Sequence, residues 1–197
     1  MRLYLGPRNK QLQRELETER FVLRPLGFIE AVRDPSGWRS HPDILRSVYL
    51  RDRPMDLVTW IKSGPMPNGV NRFLYAIVPR GADTPIGYHA LRPSGYRSLG
   101  NMVGLHDRGW WGRNVVVEVR ARLMNHFFAH GGIERFTGKV DSRNHASIFT
   151  YRKLGYTHAG TMHRERREAS TGRLIDLLWF EMFKENWMAG PYAEPEQ

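Results

Sequence analysis

Residues 115–129 constrain this chain more than any other stretch. Their apolar positions fall at 116, 119, 123 and 127, joined by 117, 124 and 128. That is helical spacing with a face broad enough to be buried. His130-Gly131-Gly132 supplies the stop, since glycine is favoured just past a helix end. A helix of this kind needs a layer to pack on, and strand-like runs lie on both sides of it. Phe21-Val22-Leu23-Arg24-Pro25 reads as a first strand ended by proline; residues 71–78, 85–91 and 99–106 read as three more, and 133–140, 156–163 and 174–183 as the rest. Turn residues at 80–84 and 168–172 join two of these pairs, the second as a hairpin. Residues 54–62 have apolar side chains at 57, 58 and 61 and read as a helix stopped by Ser63-Gly64-Pro65. Asn144 can cap a further helix running to Leu154, with Gly155 beyond it. Residues 27–51 read as loops with short helices. The order strand, helices, three strands, helix, strand, helix, hairpin predicts a mixed α/β sheet in one domain.

With 197 residues the chain suits one domain, placed at 16–188, with an N-terminal arm at 1–15 and a flexible, Pro/Gly-rich acidic tail at 189–197. No cysteine is present, which excludes a disulfide scaffold, a thiol nucleophile, thiolate metal sites and thioether or thioester lipid anchors. No apolar run approaches the ~20 residues of a membrane span, and the N-terminus lacks the apolar core of a signal peptide, so a cytoplasmic protein with no membrane partner is the expectation. The eight histidines show no metal spacing; His126 and His130 are four apart but lack a third ligand and are expected at the surface.

Thirty basic residues face twenty acidic ones, a net charge of +10, and 25 of the cations are arginine. The excess is spread along the chain. A field of this sign attracts phosphate-bearing cofactors, RNA or ribosome surfaces and repels small polycations. Genomic base composition and solubility account for it equally well.

Two segments carry candidate chemistry. Asp107-Arg108-Gly109-Trp110-Trp111-Gly112-Arg113-Asn114 lies between a strand and the start of the long helix. Such a junction presents unpaired backbone N–H groups and the positive end of the helix dipole, a seat for phosphate. An ordinary glycine-containing loop fits the same residues. Further on, Asn144, Ser147 and Tyr151 at i, i+3 and i+7 fall within ~60° on one helix face. That face shows an amide, a hydroxyl and a phenol, which also reads as a cap, a small packing residue and a core tyrosine.

Together these segments resemble the GNAT acetyltransferase superfamily, in its ribosomal-protein N-terminal and spermidine acetyltransferase branch. The branch's phosphate loop, D-R-x-W-W-G-[KR]-G-[YL]-A-x-E-A, is matched by DRGWWGRNVVVEV at 107–119. Its later pattern N-x-x-[AS]-I-x-x-Y-x-K-x-G-[FY] is met by Asn144, Ser147, Ile148, Tyr151, Lys153, Gly155 and Tyr156. The run Thr18–Leu26 and, loosely, Gly172, Asp176 and Trp187 extend the resemblance over residues 16–187.

The resemblance implies one GNAT-like α/β domain, flanked by helices, whose mostly antiparallel sheet splays between its fourth and fifth strands. It implies acetyl-CoA as cosubstrate in that notch. The pantetheine arm would pair near Leu105, His106 and Asp107. The pyrophosphate would rest on Gly112, Arg113, Asn114, Val115 and Val116, beside Trp111. Asn144 and Ser147 would meet the cofactor arm, and Tyr151 would stand near the sulfur, where a phenol protonated at neutral pH can donate to a departing thiolate. Ser147 and His106 complete the candidate catalytic set. For the base, His106, Glu118 and Asp176 are all candidates; Glu118 equally favours the positive helix end and Asp176 equally pairs with an arginine. Two departures stand out: Asn114 replaces a glycine and Val116 replaces a small residue, which is expected to crowd the pyrophosphate.

The expected acceptor is a primary amine. A peptide or protein α-amine, with a pKa of ~8, needs less help to lose its proton than a lysine at ~10.4. An antibiotic or other small amine is the alternative acceptor, and a non-catalytic CoA-, RNA- or ribosome-binding protein is the alternative class. Four arginines at 162–173 would steer an acidic macromolecule to the acceptor mouth. Trp38, Tyr49, Trp60 and Tyr88 fall on the acceptor side in the resembled family and read equally as core. Whether two copies form a homodimer with a shared site stays open.

Overall fold

Residues 73–79 (FLYAIVP) are apolar on both faces, the pattern of a strand covered from two sides, and they form an interior strand of the sheet. In the computed structural model, which describes residues 10–34, 36–49, 51–169 and 171–194, this strand is β3 (Phe73–Pro79). The other strands are β1 (Leu16–Glu17), β2 (Phe21–Pro25), β4 (Gly87–Gly95), β5 (Ser98–Leu105), β6 (Arg135–Asp141), β7 (Thr157–Arg167) and β8 (Leu174–Phe183). The helices are α1 (Phe28–Arg33), α2 (Pro42–Ile44), α3 (Leu57–Ser63), α4 (Val115–His130), α5 (His145–Lys153) and α6 (Lys184–Met188). A π-helical turn, Leu45–Tyr49, follows α2, and short 3-10 turns occupy Gln11–Gln13 and Arg108–Trp110.

The strands form one sheet in the order β1-β2-β3-β4-β5-β6-β8-β7. Every neighbouring pair is antiparallel except β5 and β6. That parallel pair is joined only at Ser98↔Arg135, Leu99↔Phe136 and Gly100↔Thr137. Beyond it β5 continues to Leu105 on β4 alone and β6 continues to Asp141 on β8 alone. The sheet therefore splays between the two strands expected to part, the fourth and fifth of the longer strands.

Alternation along the strands builds a core on each face. Tyr75, Ile77 and Leu99 meet Val119, Leu123 and Phe127 of α4 on one side. Leu74, Ala76, Tyr88 and Ala90 meet Trp38, Ile44 and Trp60 on the other. Trp38, Trp60 and Tyr88 are thus fully buried core. No helix among the described residues is long and apolar enough to cross a membrane.

Several features depart from the sequence reading. Strand β1, at the start of the predicted domain, pairs with β2; the sequence reading has no strand there. Strand β7 runs on to Arg167, carried past its apolar part by its ladder to β8. His126 is buried rather than at the surface: the turn at Gln11–Gln13 covers that part of α4, and Gln11 Nε2 bonds His130 Nδ1 at 3.1 Å. Burial lowers the His126 pKa to about 4, so the ring is neutral. Residues 1–9 of the predicted arm lie outside the described residues. Of the predicted tail, residues 189–194 lie against α4: Asn125 Nδ2 donates to Tyr192 O at 3.0 Å, and Tyr192 stacks on Trp187 at 6.2 Å. Residues 195–197 lie outside the described residues.

Candidate active site

The parting of β5 from β6 opens a cleft of about 570 Å³. Its walls are the free edges of the two strands, the turn before α4, the first turns of α4, and one face of α5. Ladder bonds are missing along these edges, so their peptide groups are available to an extended ligand.

The turn at the mouth explains itself locally. Asp107 Oδ1 accepts from Gly109 N at 2.8 Å and starts the Arg108–Trp110 turn. Gly112 has φ +73, and a side chain there would meet nothing within 4 Å, leaving an open concave approach to the backbone. Asn114 at φ 58 is the left-handed residue before α4, a geometry asparagine tolerates better than most residues. The glycine replacement noted in the sequence is therefore accommodated by the backbone. Its side chain turns toward α5, where Lys153 Nζ donates to Asn114 Oδ1 at 3.0 Å. The first-turn amides of α4 are left without side-chain caps, and its dipole favours an anion there.

Helix α5 begins where predicted: Asn144 Oδ1 accepts from Ser147 N at 3.0 Å. Asn144, Ser147 and Tyr151 all line the cleft, as their spacing on one helical face requires. Tyr151 is 4% exposed. Its ring stacks on Phe180 at 4.9 Å and 2°, and the Arg120 guanidinium covers it 4.3 Å from the centroid. The hydroxyl donates to Asn101 Oδ1 at 3.3 Å and lies over the α-carbon of Gly138. Asn101 and Gly138 follow directly after the last paired residues of β5 and β6, so the phenol occupies the point where the strands separate.

Of the other predicted site residues, Leu105, Trp111, Gly112, Asn114, Val115 and Val116 line the same cleft. Trp111 is 48% exposed and its Nε1 donates to Leu105 O at 3.3 Å. His106, Asp107 and Arg113 stand outside it. The His106 and Asp107 amides are both spent on Ile86 O, at 3.0 and 3.3 Å, which removes them as partners for an extended ligand. The His106 ring turns to the other core, where Nδ1 accepts from Trp38 Nε1 at 3.0 Å. With that lone pair occupied, His106 has no free basic nitrogen on that side, and burial together with nearby His41 lowers its pKa. Arg113 lies over Trp110 at 5.9 Å. Glu118 forms an ion pair with Arg20 at 2.6 Å, and Asp176 accepts from the Arg164 backbone at 2.8 Å and from His163 Nδ1 at 3.2 Å. The partner of Asp176 is a backbone N–H and a histidine rather than an arginine side chain. Neither carboxylate reaches the cleft.

Among the cleft residues that went unread in the sequence are Asn101, Arg120, Thr137 and Gly138 at the splay and Arg92 and Lys139 further along. Two carried a signal. Arg120 lies within the otherwise apolar stripe of α4, and a glycine inside a strand marks close approach by another group. Arg120 is 2% exposed, and its Nε and Nη1 have no hydrogen-bond partner among the described residues. His89, fully buried nearby, is held neutral by burial first and by the Arg120 charge second.

Comparison with known proteins adds three findings. Residues 20–157 match the model of the acetyltransferase (GNAT) domain. The chain is similar to an uncharacterized N-acetyltransferase, p20, of Bacillus licheniformis, with 25% identity over 183 residues that cover 87% of this chain and 97% of that one. In structure it is similar to RimL, the ribosomal L7/L12 α-N-protein acetyltransferase solved with coenzyme A (TM-score 0.68, 14% identity, 88% and 99% of the chains covered). It is also similar to the spermidine/spermine N-acetyltransferase SpeG of Vibrio cholerae (TM-score 0.65, 13% identity, 86% and 96% covered).

Proposed function

The chain belongs to the GNAT acetyltransferase family and is an acetyl-CoA-dependent acyltransferase; from its cleft we propose that the acceptor is the α-amine of a peptide or protein. The observation that carries this reading is the wall of the cleft itself. The Tyr151 hydroxyl donates to Asn101 where β5 and β6 separate, and the only carboxylate among the described lining residues, Asp141, is already ion-paired with Arg143 at 2.7 Å. No side chain there is poised to take a proton from a strongly basic amine. An α-amine, with a pKa of ~8, is substantially neutral near pH 8 and can give its proton to water. A lysine or polyamine nitrogen at ~10 is almost wholly charged.

The residues fit acetyl-CoA. The concave turn at Gly112 and the uncapped amides of Val115 and Val116 suit its diphosphate, and the free edge of β5 suits its amide-bearing arm. Trp111, Asn144 and Ser147 line the path between them. When bound, acetyl-CoA supplies an activated thioester whose acyl transfer frees a thiolate. The remaining work belongs to the chain. Tyr151 Oη, oriented by Asn101, delivers its proton to an anion formed in the gap. Arg120 places an uncompensated positive charge beside that ring, in a site of low dielectric where it favours developing negative charge. Arg113 stands at the mouth, where its charge favours phosphate. A ribosome-associated protein presenting its N-terminus is the acceptor that fits the positive surface best.

The test is product mass analysis after incubating the protein with labelled acetyl-CoA and a mixture of peptides, lysine-containing peptides with blocked N-termini, and small amines. Label at peptide α-amines is the expected result. Label confined to polyamines, aminoglycoside-like amines or lysine ε-amines overturns the acceptor assignment.

A further inference from the structure

On the face of the cleft opposite α4, the charges do not balance. Strand alternation puts Arg92 and Ser94 of β4, Thr137, Lys139 and Asp141 of β6, and Leu177 of β8 on one side, and all of them line the cleft together with Ser47 and Val48 of the π-helical turn. This is the side away from Tyr151's own helix, where an acceptor can enter. The three carboxylates around it are taken: Asp141 by Arg143 at 2.7 Å, Glu168 by the same arginine at 3.3 Å, and Glu181 by Arg135 at 3.1 Å. Arg92, Lys139 and Arg166 line the cleft without a carboxylate partner among the described residues. Lys139 Nζ rests only on the Trp179 ring, 5.2 Å from its centroid, and the indole N–H of that tryptophan is a buried donor without an acceptor. The Arg92 charge reaches the Tyr49 hydroxyl and favours its ionised form, although burial dominates and pushes that phenol up to about 12.

We propose that the acceptor carries carboxylates close to its reacting amine, and that Arg92 and Lys139 select it, with Arg166 at the outer end of the same groove. The proposal rests on the acetyltransferase reading above and names the chemistry of its acceptor. The phosphates of the donor do not account for these cations. Arg92 is the ladder partner of Gly100, at the joined end of the splay, whereas the turn at Gly112 lies beyond Leu105 at the open end. Five residues of strand separate the two, ~17 Å at about 3.4 Å per residue. Across the sheet, Arg92 and Thr137 are two strands apart, ~10 Å, and Lys139 lies two residues further along β6, where the strands have parted. An extended peptide advances ~3.3–3.6 Å per residue, so carboxylates within the first three or four residues after the amine fall in reach. A polyamine meets the opposite condition: cations facing cations, with no free carboxylate to receive it.

The experiment compares kcat/KM for matched hexapeptides with an N-terminal serine followed by two acidic residues, two neutral residues or two basic residues. Free aspartate and spermidine serve as further acceptors. The acidic peptide is expected to exceed the basic one by about 100-fold at low salt, with the ratio shrinking as salt rises, since like-charge repulsion and attraction through this groove are both screened. Lys139→Glu and Arg92→Glu should each reduce or reverse the ratio while leaving the dissociation constant for coenzyme A, measured by calorimetry, unchanged. Free aspartate acetylated as well as the peptide identifies a small carboxylated amine as the source and upholds the carboxylate requirement. Equal kcat/KM for the three peptides, a preference that survives both charge reversals, or spermidine as the best acceptor overturns the proposal. Failure of coenzyme A to bind at all, or no turnover on any amine, instead removes the acetyltransferase reading on which it rests.

Discussion

Adding a single methyl at Gly138 should disable the site by moving one ring. A β-carbon built there lies 2.5 Å from Tyr151 Cε1 and closer still to Cζ and Oη, whereas ordinary contact starts at 3.4 Å. The ring must therefore retreat by about 0.9 Å or more. Its exits are blocked by Phe180 stacked on one face and the Arg120 guanidinium over the ring. Overpacking of this kind costs ~1–3 kcal/mol. For a chain of this size, 2 kcal/mol corresponds to a fall in Tm of about 4–8 °C. A shift near 1 Å in a proton donor costs ~10² in rate. Gly138→Ala should thus lower kcat about 100-fold, with coenzyme A affinity changed far less, because the phosphate turn at Gly112 is remote from the ring. The measurement is a double-mutant cycle with Tyr151→Ala, read by urea unfolding and by steady-state kinetics. In the Tyr151→Ala background the new methyl has room, so its destabilisation should disappear. If Gly138→Ala costs the same in both backgrounds, the two residues are not coupled, and the placement of the phenol over Gly138 is wrong.

Other outcomes follow from the same geometry. Tyr151→Phe should lower kcat ~10²-fold and leave donor affinity nearly intact, as loss of a proton donor does; wild-type turnover would remove Tyr151 from the chemistry. Asn114→Gly should keep or tighten coenzyme A binding, because glycine accepts the left-handed backbone at φ 58 without a side chain over the phosphate turn; marked weakening by calorimetry would make the asparagine a ligand. His126 has a folded-state pKa of about 4, against 6.5 for a free imidazole. The unfolded chain therefore binds the extra proton between these values, and stability falls as pH drops from about 6.5 to about 4, by up to ~3 kcal/mol from this one ring. Urea titrations should show a flatter acid slope for His126→Phe than for the wild type, and identical slopes would argue against a neutral buried imidazole.

Much of the architecture could be read from residue order because local patterns decide it. The apolar stripe of α4, the strand runs around it, the Asn144 cap and the exact bounds of β8 each depend on neighbours within one or two turns or one strand. The turn before α4 was legible for the same reason: its glycine, its asparagine and the helix that follows are contiguous. The Asn144, Ser147 and Tyr151 face is fixed by helical periodicity alone.

What required the tertiary structure is every contact between distant segments. The covering of His126 depends on residues 11–13 folding back over α4, more than a hundred positions away in the chain. His106 ends a predicted strand beside the reaction gap, yet Trp38 captures its ring and Ile86 its amide, so proximity in sequence did not become presence in the cleft. Sequence determined that a phenol and a glycine-containing turn exist on neighbouring elements. Only the fold decided that β5 and β6 part immediately after Gly100 and Thr137, because strand pairing is a long-range choice. That parting places Asn101, Arg120 and Gly138 around the phenol and leaves Arg92 and Lys139 lining the cleft without a carboxylate partner among the described residues.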